Sequence, residues 1–240
     1  MKKYPIGERV VFPYYNQRLT GRVTEVLNGR RRVVADTGER EIVLLKALSR
    51  ATNRVLILES RLDRSVRSKK RTYATMLQSF LEAYPGVEVL HERVHSPTDF
   101  VQLVKGEGKK IGTRVIHYIG HGDHHNSRET TLELTFGKLN LYDQASDFKG
   151  LKGKVLIFSC CRVGANLQVM AKIKEESGAA AVIGYRTDVV DSFTNLAEVL
   201  LYDRLFSGLS PKSAVRCVIE GLQIMGIRPE GTRSPVLVCV

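Results

Sequence analysis

Residues Arg114–Gly122 read RVIHYIGHG, and residues Lys154–Gly164 read KVLIFSCCRVG. Each is a short apolar run that stops abruptly in reactive residue types. Continuous apolar runs of this length are the mark of strands buried on both faces of a parallel sheet. The first stops at His121-Gly122, the second at Ser159-Cys160-Cys161-Arg162. In an open α/β sheet, sites form in the crevice beyond the carboxyl ends of the strands. If these two strands are neighbours, an imidazole and a thiol meet there.

The surrounding chain supplies more elements of the same kind. Arg54–Ser60 (RVLILES), Val87–Val94, Ala179–Gly184 and Pro235–Val240 read as further strands. Tyr73–Tyr84 reads as a helix, with Met76, Leu77, Phe80 and Leu81 on one face and Pro85-Gly86 as its stop. Ser96 and Pro97 are an N-cap and a first helical residue. Asn166–Ser177, Ser192–Phe206 and Ser210–Met225 are three more helices. After His121-Gly122, Asp123–Thr130 reads as a polar loop, and Thr131–Leu134 with Lys138–Leu141 as a small hairpin. Strands alternating with helices predict an α/β fold with a mostly parallel sheet flanked by helices.

The first fifty residues differ. Gly7–Phe12, Leu19–Val26, Arg31–Asp36 and Arg40–Leu44 are short alternating strands, with turns at Asn28-Gly29 and Thr37-Gly38. They predict a small all-β barrel module over residues 1–50, similar to Tudor-like or KOW-like barrels, then a linker at Ala47–Asn53. The α/β domain occupies residues 51–240. The module carries Arg30-Arg31-Arg32 beside its turn and Tyr14-Tyr15 in its first loop. Arginines near aromatics can hold a phosphate and stack a base, or hold a protein partner. A solvated hairpin tip with two half-buried tyrosines is the reading favoured slightly over nucleic-acid binding.

The chain has 240 residues, 43% hydrophobic and 26% charged, as expected of a globular protein. No apolar run approaches a membrane span, and no apolar signal core follows Met1-Lys2-Lys3, so the expected location is the cytoplasm. A net charge of +12 favours acidic partners, nucleic acid among them. Cys160, Cys161, Cys217 and Cys239 form neither a disulfide framework nor a paired CxxC zinc pattern.

A cysteine nucleophile acts as a thiolate, and a nearby imidazole or helix amino terminus lowers its pKa. Cys161 ends a strand, with Gly164 and a helix start close behind. The N–H groups of Gly122 and Cys161 together would hold the oxyanion of a tetrahedral intermediate. This chemistry requires no metal and no cofactor. His117, His121, His124 and His125 follow no HExxH pattern, and metal ranks below the thiol.

A strand ending His-x-x-x-His-Gly, followed by a strand ending Ser-x-Cys-x-x-Gly, resembles the caspase-like cysteine peptidases, and within them the CHAT branch. The matching residues are His117, His121 and Gly122, then Ser159, Cys161 and Gly164, with Cys160 in the place of an alanine. Gly178–Gly184 resembles the family's Gly-Ala-x-x-Val-Ile strand, and Tyr185 stands where the family often has tryptophan. The resemblance implies peptide hydrolysis with Cys161 as nucleophile and His121 as its partner. Cys160 should point to the opposite side of the strand. Asp188 and Asp191, where relatives place specificity residues, would select a basic residue before the cut. Arg162 and the basic run Arg61–Arg71 would select an acidic one, and the basic choice is favoured slightly. Such proteases often act when a partner or signal switches them on, in bacterial defence or cell death. Rival readings are an inactive scaffold whose barrel binds nucleic acid or protein, and acyl transfer on a non-peptide substrate.

Overall fold

A strand apolar on both faces must be covered on both, and the computed structural model shows how. It describes residues 4–15, 17–50, 53–60, 72–84, 86–227 and 236–240, the side chains of Gln17, Arg18 and Arg50 excepted. The basic run Arg61–Arg71, Pro85 and Pro235 lie outside the described residues.

The amino-terminal strands are β1 (Arg9–Tyr14), β2 (Gln17–Leu27), β3 (Arg30–Ala35), β4 (Arg40–Leu44) and β5 (Ser49–Arg50). They form an antiparallel sheet in the order β4-β3-β2-β1-β5. It curls around its own core of Val10, Phe12, Val23, Val33, Val43 and Leu48. Gly29 and Gly38 take positive φ at the two predicted turns. A side chain at Gly21 would put its Cβ 2.3 Å from the Val34 carbonyl oxygen, so glycine is required where β2 bends over β3. The expected linker is shorter than predicted: Ser49 and Arg50 pair with Val11 and Val10 as the last strand of this sheet.

The main part follows as β6 (Asn53–Glu59), α1 (Tyr73–Glu82), β7 (Val87–Arg93), α2 (Pro97–Leu103), β8 (Thr113–Ile119), β9 (His121–Asn126), β10 (Glu129–Leu134) and β11 (Gly137–Asn140). After these come β12 (Val155–Ser159), α3 (Leu167–Ser177), β13 (Ala181–Tyr185), α4 (Asp191–Phe206), α5 (Pro211–Ile224) and β14 (Leu237–Cys239). The central sheet has the order β14-β13-β12-β8-β6-β7. All its pairs are parallel except β13 with β14. Alternate residues separate its two cores. Val55, Ile57, Val115, Ile157 and Ile183 pack under α1, α4 and α5. Leu56, Leu58, Ile116, Leu156 and Val182 pack under α2 and α3. Ser96 and Asp99 form a capping box with Pro97 at the start of α2, as the sequence predicts.

One predicted loop is a strand. His121–Asn126 pairs as β9 with β10, and β11-β10-β9 is a separate three-stranded sheet. The residues of β9 are nearly all polar and show no alternation, because the strand lies at that sheet's edge. Periodicity therefore misses it.

The amino-terminal sheet meets the main part at the amino ends of the parallel strands. A Cβ at Gly153, just before β12, would lie 3.0 Å from Thr37, and Lys152 Nζ reaches Glu39 at 3.3 Å. Gly208, after α4, lies against the Arg22 guanidinium. The catalytic candidates stand at the other end.

Candidate active site

β8 and β12 are direct neighbours, with Ile119 opposite Ser159 as the last pair. His121 and Cys161 each lie two residues beyond that pair. The Gly120 N–H donates to the Ser159 carbonyl at 3.1 Å, which carries the contact one residue past the ladder. A Cβ on Gly120 would strike Tyr118 Oη at 2.6 Å, so a bare backbone is needed where the chain leaves the sheet for β9. The same Tyr118 hydroxyl donates to the His121 carbonyl at 3.0 Å and fixes the backbone there. The His121 side chain is exposed, and no partner for its ring is found among the described residues.

Alternation separates the two cysteines. Cys160 points into the α2–α3 core and is 2% exposed. Its sulfur lies under Gly122, where an added Cβ would be 2.7 Å from Sγ. Gly122 is thus required for packing, whatever its N–H does. Cys161 points the other way and is partly exposed. Its Sγ accepts a hydrogen bond from the Val189 N–H at 3.5 Å.

Burial pushes the Cys161 thiol up, Val189 opposes this, and Asp188 adds to it while Arg162 opposes it. The expected lowering by a helix terminus is not seen. A single 3₁₀ turn, Val163–Ala165, intervenes, and α3 is capped only at Asn166. Cys161 is therefore a thiol in this arrangement.

Arg162 is held in the left-handed region at φ 58°. Its N–H donates to the Thr187 carbonyl at 3.2 Å. Its guanidinium contacts Asp188 at 2.6 Å and lies 3.8 Å from Asp123 on β9. Arg162 and Asp188, two rival specificity candidates, are thus paired with each other. Asp191 is the exposed first residue of α4; Val190 holds the cap position without a side-chain bond. Of the other histidines, His125 lies 3.1 Å from Asp123 and His124 contacts Thr130 at 3.2 Å. No cluster of three or more metal-ligating side chains occurs among the described residues.

Behind the cysteine, Gly164 packs against β13. A Cβ there would lie 2.6 Å from the Gly184 carbonyl oxygen, and one on Gly184 would lie 3.2 Å from the Gly164 nitrogen. Asn166 then does two jobs. Its side-chain oxygen caps α3 by accepting from the Val169 N–H at 3.1 Å. Its amide donates to the Ser127 carbonyl at 3.1 Å and to Thr130 Oγ1 at 2.9 Å. One side chain so joins the cysteine turn to the β9–β10 hairpin.

Sequence reasoning missed the polar centre below. Glu198 on α4 is fully buried. Its carboxylate lies 3.1 Å from His117 Nε2 on β8. It accepts from Tyr185 Oη on β13 at 3.0 Å, from Tyr73 on α1 and from Ser159 at the end of β12. His117 Nδ1 is 2.9 Å from Tyr202 Oη. Burial alone would raise the Glu198 pKa; His117, Ser159 and Tyr73 overcome it and hold the carboxyl below its ordinary value. The charge thus anchors the strands that carry His121 and Cys161. A glutamate in the otherwise apolar run Leu196–Leu201 was its signal. Tyr185 turns toward this centre rather than into the cleft.

The amino-terminal candidates are remote from the cysteine. Arg31 is buried, and its guanidinium donates to the carbonyls of Tyr4 at 2.7 Å, Leu27 at 3.2 Å and Arg30 at 2.7 Å. It is a structural residue, not a surface contact. Arg30 is exposed, Arg32 pairs with Glu25 at the surface, and Tyr14 packs edge-on against the exposed Tyr15.

No protein-family model matches the sequence, and no curated protein matches it. Among solved structures, the chain is similar to the crystal structure of the Drosophila initiator caspase Dronc. The TM-score is 0.51 at 11% identity, over 80% of each chain. The fold is therefore caspase-like: a mostly parallel sheet flanked by helices, preceded here by a curled antiparallel sheet.

Proposed function

We propose that the chain is a cysteine endopeptidase of the CHAT type. One observation carries the reading: His121-Gly122 and Cys161 leave adjacent parallel strands of a caspase-like sheet at the same level, with Cys160 locked out of the crevice. His121 takes the thiol proton as Cys161 sulfur adds to the scissile carbonyl. The N–H groups of Gly122 and Cys161 stabilise the oxyanion. His121 then protonates the leaving amine, and a thioester remains. Water, deprotonated by His121, releases the acid and restores the thiol.

A thiol pKa raised by burial suits an enzyme that waits for a partner or signal. Substrates carry a basic residue before the cut, a reading supported by the carboxylates of Asp123 and Asp188 around Arg162 and by the exposed Asp191 among the described residues. A role in bacterial defence or cell death follows from the resemblance. No helix among the described residues is long and apolar enough to cross a membrane. Arg30, Arg32 and Tyr14 offer the amino-terminal sheet a contact for nucleic acid or a regulatory protein.

The test uses fluorogenic peptides and chloromethyl-ketone probes bearing Arg, Lys, Asp or Leu. Wild type should label and turn over, alone or once cell extract supplies its partner or signal. Cys161→Ala should lose both, His121→Ala should lose turnover, and Cys160→Ala should keep both. Losses of about 10³-fold or more are expected for either member of such a unit. The raised thiol and the unpartnered His121 ring favour one alternative, an inactive scaffold that works through its amino-terminal sheet. Wild type that neither labels nor cleaves, alone or with cell extract, would establish that alternative.

A further inference from the structure

A second buried polar cluster lies at the amino ends of β8 and β12, far from Cys161. Arg9 of β1, Arg22 of β2, Arg114 of β8 and Lys154, just before β12, gather where the curled sheet meets the central one. Among the described residues, Asp36 is the carboxylate whose charge acts on all four. Asp36 pairs with Arg9 and accepts from Thr20 Oγ1 at 2.7 Å. Arg114 donates to the Leu205 carbonyl at 2.8 Å and lies over the Phe206 ring. Arg22 donates to the Gly7 carbonyl at 3.0 Å. Lys154 Nζ donates to the carbonyls of Thr113 at 2.6 Å and Lys110 at 2.8 Å.

The charges do not balance. Carbonyls at the end of α4 supply partial negative charge, not a counter-ion. Arg9 is only 6% exposed, and its Nε and Nη1 are buried without a partner. Buried guanidinium nitrogens without acceptors are costly and call for a specific explanation. We infer that this cluster binds a small multivalent oxyanion of the phosphate or pyrophosphate kind, held between the curled sheet and the central sheet. Such a group brings several strong acceptors and the negative charge that Asp36 alone does not supply.

The electrostatics agree. Burial, then the charges of Arg9 and Arg22, pushes Arg114 down to about 9 against the pull of Asp36. Burial pushes Lys154 down to about 8; Asp36 opposes this and Arg9 adds to it. Arg9 and Arg22 are likewise held below their ordinary values, chiefly by burial, against the pull of Asp36.

The size of the ligand follows from the enclosure. Arg9 and Lys154 are both buried between the two layers, where a nucleic-acid backbone does not fit. The exposed Arg30 and Arg32 are not part of the cluster. Entry requires the layers to part slightly, and the bound anion then ties them together. The inference does not depend on peptidase activity.

The test is a thermal-unfolding titration of the full chain in a phosphate-free buffer at constant ionic strength. The probes are inorganic phosphate, pyrophosphate and a short oligonucleotide, with sodium chloride as the control. Ligand that binds only the folded state raises the melting temperature saturably. Pyrophosphate should do so and chloride should not. Arg9→Gln and Arg114→Gln should each weaken the apparent affinity at least tenfold, while Arg30→Gln leaves it unchanged. If Arg9→Gln does not fold, Arg22→Gln, at a half-buried position, gives the same reading. The inference is overturned if neither phosphate nor pyrophosphate exceeds the salt control, or if the response survives all three interior substitutions. It is also overturned if only the oligonucleotide stabilises, with loss in Arg30→Gln.

Discussion

The two ends of the central sheet hold buried charge in opposite ways. At the carboxyl end, one carboxylate, Glu198, receives His117 and three hydroxyls from four different elements. At the amino end, four cations share one carboxylate, and two nitrogens of Arg9 have no partner. A buried charge met by several partners rigidifies its surroundings, whereas buried donors left without acceptors call for an explanation, which the proposed anion supplies. The Glu198 centre therefore belongs to the architecture of the cleft, and the Arg9 cluster to the proposed anion.

Removing the satisfied charge should hurt most. Glu198→Ala strands His117 and three hydroxyls in the core, and is expected to cost about 3–5 kcal/mol. Glu198→Gln, which keeps the shape and one acceptor, should cost clearly less. Chemical denaturation of both variants checks this, and equal losses would break the claim that charge organises this end.

Next in size is the contact that orients the cysteine pair. Gly122→Ala drives a methyl toward Cys160 Sγ and should cost about 1–3 kcal/mol. Adding Cys160→Ala should return much of that loss. A double-mutant cycle with no coupling would show that the two residues do not touch in solution.

The smallest effect is a slope. Lys154 has a folded-state pKa near 8, below its ordinary value of 10.5. Between those values the unfolded chain binds more protons, so stability rises with pH across this window. The penalty is constant below about pH 8 and is relieved above it, by at most about 1.4 kcal/mol per pH unit. Lys154→Met should remove this component, read as the difference in slope between the two proteins from pH 8 to 9.5. Saturating pyrophosphate should flatten the wild-type slope as well, because a bound anion returns Lys154 toward its ordinary pKa.

Much of the fold was legible because β8, β12 and β13 are buried on both faces and advertise it as unbroken apolar runs. The placement of Cys160 and Cys161 on opposite sides followed from strand alternation alone. What escaped reading depends on distant partners. β9 is a polar edge strand whose pairing with β10 leaves no periodic trace. Arg31 resembles its exposed neighbours in sequence, yet three carbonyls, on Tyr4, Leu27 and Arg30, draw it inward. Asp36 reads as the last residue of a strand before the Thr37-Gly38 turn, while its side chain pairs with Arg9. The Cys161 thiol is pushed up chiefly by burial, which a linear sequence does not display, and a 3₁₀ turn stands between it and α3.

The back-to-back glycines behind the cysteine turn restrict how this site can change over generations. Gly164 and Gly184 face each other, with no room for a side chain at 164 and only a tight fit at 184. A side chain at Gly164 would collide with the Gly184 main chain and with Val238 Cγ1 at 2.7 Å, so no change at position 184 relieves it. The lineage can vary its cleft through the residues around Arg162 and Asp188, but the wall against β13 is closed to drift.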